Sequence, residues 1–70
     1  MKKFVVIDHD RSMSNLSSVR KQVIHADDLE GALRAVMGCG PEGFQHSVAE
    51  EGVLSVEDFE GDITTVVEVA

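Results

Sequence analysis

One segment of this chain is marked as an α-helix at both ends, and it decides most of what the rest can be. Asp27-Asp28-Leu29-Glu30 reads as a start. Asp27 can accept a backbone N–H as N-cap, Glu30 three residues on can reach back, and three acids suit the positive end of the helix dipole. From about Asp28 to Met37, the residues Leu29, Leu33, Val36 and Met37, with Ala32 beside them, make one apolar stripe at helical spacing. Gly38 is a natural left-handed terminator, and Pro41 forbids continuation. A helix this short is not stable alone; its apolar side must lie on another element.

The remaining apolar segments read as strands. Lys3 to Asp8 holds Phe4, Val5, Val6 and Ile7, a continuous run of strand formers expected at the centre of a sheet. Asp10 to Ser18 is polar and serine-rich, hence a loop or wide turn. Val19 to His25 fits either a helix or a half-exposed strand; the new helix start just downstream favours the strand. Phe44 to Ala49, Val53 to Phe59 and Ile63 to Val69 follow as three strands, joined by Glu50-Glu51-Gly52 and Glu60-Gly61-Asp62 as hairpin connections. A rival reading makes Ser55 to Asp58 a short helix turn. In the last strand Ile63, Thr65, Val67 and Val69 share one face, and Thr64, Val66 and Glu68 the other. The expected fold is α+β, a small mostly antiparallel sheet in the order β-β-α-β-β-β with one helix packed on one face. The expected core is Phe4, Val6, Leu29, Leu33, Val36, Phe44 and Val67, with Phe59 also taken as a core aromatic.

Seventy residues make a single compact domain, 1–70, with a small core. A substrate pocket of several hundred Å³ is hard to fit inside it, which favours a binding module over an enzyme. No stretch is long enough to span a membrane. The start, Met1-Lys2-Lys3-Phe4-Val5-Val6-Ile7, is too short in apolar residues for a signal peptide. The one cysteine, Cys39, cannot form an internal disulfide, so the expected location is the cytoplasm.

Four motifs invite a chemical reading. Phe4-Val5-Val6-Ile7-Asp8-His9-Asp10-Arg11-Ser12 resembles the first motif of the haloacid dehalogenase phosphatases, which would make Asp8 a nucleophile and Asp10 its acid/base partner. The resemblance departs at Ser12, where Thr or Val is usual, and that family's domain is more than twice this length. Both aspartates are therefore expected to end a strand. Gly38-Cys39-Gly40-Pro41-Glu42-Gly43 satisfies G-x-G-x-x-G, but it follows a helix and precedes a strand, which presents carbonyls where a phosphate needs amides. His9, His25 and His46 with Asp8, Asp10, Asp27 and Cys39 lack the close spacing of common zinc sites, so no metal and no cofactor is expected. Cys39 has no basic neighbour or helix N-terminus to lower its pKa and makes a poor nucleophile.

Charge is the remaining signal. Through His46 the acids and bases balance; from Ser47 to Ala70 there is no Lys or Arg, while Glu50, Glu51, Glu57, Asp58, Glu60, Asp62 and Glu68 carry the whole formal charge of −7. Part of this is solubility and protection of sheet edges. As a binding face, the candidate residues are Glu50, Glu51, Glu57, Asp58, Glu60 and Asp62. Such a face repels nucleic acid and attracts a basic protein by electrostatic steering. Because the turns of a meander alternate ends, Glu57, Asp58, Glu60 and Asp62 are expected to stay together even if Glu50 and Glu51 do not.

A chain this small and acidic, without a catalytic constellation, resembles the small inhibitors encoded by bacteriophages, of which the anti-CRISPR proteins are the most familiar. The resemblance rests on size, charge and architecture across the whole chain. It implies a non-enzymatic protein acting in the host cytoplasm, whose partner is a basic, nucleic-acid-binding protein or complex blocked by occlusion or mimicry. The alternative is a housekeeping or antitoxin-like interaction module that pairs through a sheet edge or forms a homodimer. A phosphatase based on Asp8 and Asp10 is a remote third reading.

Overall fold

The computed structural model describes residues 1–9 and 19–69. Its elements are β1 (Lys2–His9), β2 (Val19–Ala26), α1 (Leu29–Met37), a single 3₁₀ turn (Pro41–Gly43), β3 (His46–Glu50), β4 (Val53–Glu57) and β5 (Ile63–Val69). The expected β-β-α-β-β-β order is present, and Ser55 lies in a strand, not a helix turn. The loop expected over Asp10 to Ser18 lies outside the described residues. All five strands join one sheet in the order β2-β1-β5-β4-β3, and each neighbouring pair is antiparallel. The fold is α+β.

Local chemistry sets the helix ends. The N-cap is Asp28, not Asp27: Asp28 is extended (φ −153°), and its carboxylate accepts the Gly31 N–H at 2.7 Å. A cap reaches the N–H three residues ahead, so an Asp27 cap would serve Glu30 and start the helix one residue early. Gly38 ends the helix in the left-handed region (φ 82°), where its N–H donates to the Arg34 carbonyl at 2.9 Å.

The helix lies across β2, β1, β5 and β4. Beneath it Phe4, Val6, Ala26, Leu54, Val56 and Val66 form the core with Ala32 and Leu33, while Leu29, Val36, Phe44 and Ile24 pack half-buried around the edge. Val67 is not in this core. Val66 pairs with Val6 on one side and Leu54 on the other, so the two-residue period of a strand sends Val67 to the opposite face. Register also makes β2 and β3 parallel, and α1 carries the chain between these two edge strands. The face away from the helix carries Val5, Ile7, Val53 and Val67 half-buried and has no covering element among the described residues.

Candidate functional site

The acidic third of the chain forms two hairpins whose turns lie at opposite ends of β4. Glu51 and Gly52 connect β3 to β4, with Glu50 paired to Val53 and Gly52 in the left-handed region (φ 75°). The β4–β5 turn runs from Asp58 to Asp62 at the other end. The five residues of β4 hold the two turns about 13 Å apart or more. The six candidate carboxylates are thus not one cluster: Glu57, Asp58, Glu60 and Asp62 stay together, and Glu50 and Glu51 stand apart.

The β4–β5 turn is built by its own aspartate. The Asp58 carboxylate accepts the Glu60 N–H at 2.8 Å and the Asp62 N–H at 3.0 Å. The Asp58 carbonyl accepts the Gly61 N–H at 3.2 Å, and the Asp58 N–H donates to the Asp62 carbonyl at 3.0 Å. Gly61 closes the loop at φ 93°, a value that side-chain-bearing residues rarely adopt. This pattern is a turn followed by a left-handed glycine, one of the common hairpin closures. Asp58 therefore holds the backbone instead of presenting its charge outward.

Phe59 projects from this turn at 77 % exposure, so it is no core residue. The hydrogen bonds that define the loop hold Phe59 in the turn, outside the core. Glu60 beside it is exposed, while Glu57 and Asp62 are half-buried. An exposed aromatic ring in a turn that also carries Glu57, Glu60 and Asp62 has the composition of an interface anchor, apolar area together with charge. Sequence reasoning placed the charge and missed the ring. The signal was present in Asp58-Phe59-Glu60-Gly61, an Asp followed three residues later by Gly, which marks a turn and not a strand end.

The other motifs resolve into structure. Thr64, buried at 3 % exposure, donates its hydroxyl to the Asp8 carboxylate at 2.7 Å. Asp8 is a cross-strand partner on β1, and Asp10 lies outside the described residues. Gly38 to Gly43 is the helix stop followed by the 3₁₀ turn, with Cys39 a half-buried free thiol. The Glu42 carboxyl there is held below its ordinary value, first by a backbone hydrogen bond and then by Arg34, whose Nη2 donates to Glu42 Oε1 at 3.0 Å. His9 and His46 stand on strands separated by β5 and β4, and His25 is at the other end of the sheet. No group of three or more His, Cys, Asp or Glu side chains among the described residues is arranged to hold a metal ion. Glu68 is spoken for by Lys2, 3.8 Å away. No helix among these residues is long and apolar enough to cross a membrane, which leaves β-barrel insertion untouched. Comparison with protein-family models, curated proteins and solved structures finds no match.

Proposed function

We propose that this protein is a non-enzymatic, protein-binding inhibitor that docks its β4–β5 hairpin tip on a basic, nucleic-acid-binding protein and occludes that protein's nucleic-acid path. The observation that carries this reading is the 77 % exposure of Phe59 at the tip of a turn flanked by Glu57, Glu60 and Asp62. Leaving a phenylalanine in water is unfavourable by roughly 1.5–3 kcal/mol, which is recovered when a partner buries it. The surrounding carboxylates give long-range attraction to a positive groove of the kind that holds phosphates. Such a groove is the complement in charge and chemistry of an acidic tip, as in the phage-encoded inhibitors this chain resembles.

The experiment is capture of partners from nuclease-treated bacterial lysate on the immobilised protein, run beside Phe59→Ser and Glu60→Lys. The proposal expects a nucleic-acid-binding protein retained by the parent and lost from both variants. It further expects that partner, once purified, to lose affinity for its nucleic acid when this protein is added. A retained partner whose nucleic-acid binding is untouched would refute the inhibitor reading.

A second reading is favoured by one observation: β3 is exposed along its whole length and forms an edge of the sheet. A strand in that position offers unpaired backbone groups to an incoming strand, the mode of an interaction module that pairs through its edge. Ala49→Pro, at a position whose N–H faces the open edge, would weaken such pairing and leave binding through Phe59 intact.

A further inference from the structure

The side of the sheet turned away from α1 is not a polar, solvated face. By register its central rows read Val23, Val5, Val67, Val53 and Glu50, then Lys21, Ile7, Thr65, Ser55 and Val48. Val5, Ile7, Val53 and Val67 are only half-buried, and Val23 and Val48 are 54 % and 60 % exposed. We propose that this face is the interface of a homodimer: two copies stack open face on open face about a two-fold axis running close to β5, with both helices outward.

Three features select a second copy as the occupant. The first is charge. On this face Lys3 and Lys21 lie on β1 and β2, whereas Glu50 and Glu57 lie on β3 and β4, on opposite sides of the central strand. A two-fold axis along β5 reverses the strand order, so β2 of one copy covers β3 of the other. Lys21 then comes within one row of the partner copy's Glu50, while Val67 and Thr65 meet their own equivalents at the axis. An axis perpendicular to the strands would set β2 on β2 and bring lysine against lysine. The face is therefore self-complementary in one orientation, as an isologous interface must be.

The second feature is polar satisfaction. Hydroxyls in the middle of an apolar interface ordinarily penalise it, because they lose water without gaining a partner. Here Ser55 Oγ and Thr65 Oγ1 are already hydrogen-bonded to each other at 3.3 Å, so covering them leaves each with one partner and a single hydroxyl hydrogen unspent.

The third is area. Five strands about 4.8 Å apart, each five to eight residues long at about 3.3 Å per residue, give a face of roughly 400–630 Å² in projection. Two such faces bury on the order of 1,000 Å², the lower limit for a specific interface. Stacked sheets pack about 10 Å apart with strands crossing near −30°, which inclines the two-fold axis about 15° from β5 and keeps the strand order reversed. The dimer is thus expected to be weak and to dissociate on dilution.

Sedimentation velocity over a concentration series tests this directly, with Val67→Lys as the apolar disruption and a charge exchange as the orientation probe. The parent should pass from the 7.6 kDa monomer to twice that mass as concentration rises. Val67→Lys should remain monomeric. Lys21→Glu and Glu50→Lys, both at exposed positions, should each weaken the dimer about tenfold, near 1.4 kcal/mol, and together should restore most of it. If Val67→Lys fails to fold, the charge exchange still decides, since neither of its positions is in the core. A parent that stays monomeric throughout would overturn the proposal and assign the face to a different partner. A dimer indifferent to Val67→Lys would also overturn it. A dimer whose charge-exchanged form is no stronger than the single variants would refute the axis.

Discussion

Leu33→Ala is the substitution that most severely tests the packing of the helix on the sheet. Leu33 is fully buried at the centre of α1, above a surface made by Phe4, Val6, Leu54, Val56 and Val66. The change removes three carbon groups at about 0.8 kcal/mol each, or about 2.4 kcal/mol of transfer free energy. A hole of roughly 80 Å³ that fails to relax adds about 24 cal/mol per Å³, close to 2 kcal/mol more. Alanine is the better helix former, so no helix propensity is lost to confuse the reading. The expected total is about 2.4–4.4 kcal/mol, depending on how far the hole relaxes, against a global stability of roughly 4–10 kcal/mol for seventy residues. Urea unfolding followed by far-ultraviolet circular dichroism at low micromolar protein, with the slope unchanged, should show this as a large fall in midpoint. A loss below about 1 kcal/mol would mean that the helix does not rest on this surface through Leu33, and the core described above would be wrong.

Smaller changes test the local devices. Asp28→Ala should cost about 0.5–2 kcal/mol by removing the cap on Gly31, while Asp27→Ala should cost little; equal losses in urea melts would contradict the capping geometry. Thr64→Val keeps shape but takes the hydroxyl from Asp8, and should cost about 1–2 kcal/mol, more than Asp8→Asn, which retains an acceptor. A magnesium-dependent phosphatase activity lost in Asp8→Asn would instead restore the catalytic reading of that aspartate. The folded pKa of Glu42 lies below its ordinary 4.5, so the stability it contributes is present above that value and disappears as pH falls through the lower, folded value. Glu42→Gln should therefore narrow its gap from the parent as the solution is acidified below about pH 4.5; a gap independent of pH would remove Arg34 and the backbone amide as the cause.

Elements with strong one-dimensional signals were legible in the sequence. The helix announced both its ends and its buried side, and the two hairpins were marked by glycines at positions that the structure places in the left-handed region. What could not be read was the phase of β5. Val66 and Val67 are the same residue, so alternation alone cannot say which faces the helix; only pairing with Val6 and Leu54 decides it. The cap was misplaced by one residue for a similar reason, since Asp27 and Asp28 offer identical carboxylates and only the helix register selects between them. Phe59 was misjudged because an aromatic residue is usually buried, whereas here the hydrogen bonds of Asp58 hold it at a turn. The division of the acids between two ends was implied by the meander, but the structural use of Asp58 was not foreseen. Reversing the charge of Asp58 would dismantle the turn before it tested binding.

The hairpin tip is therefore best tested by the association rate of the captured partner with Glu60→Lys, measured as a function of salt beside Glu51→Lys at the opposite end of β4. Both positions are exposed, so either substitution leaves the core untouched. At about 0.01 M salt the field of a surface charge reaches about 30 Å, and at about 0.15 M about 8 Å. If the tip docks on a basic surface, Glu60→Lys slows association several-fold at low salt and Glu51→Lys slows it less; as salt rises both differences shrink, and at about 0.15 M Glu51→Lys matches the parent while Glu60→Lys stays slower. Equal association rates for all three proteins at low salt would contradict the account and leave the acidic residues to solubility alone.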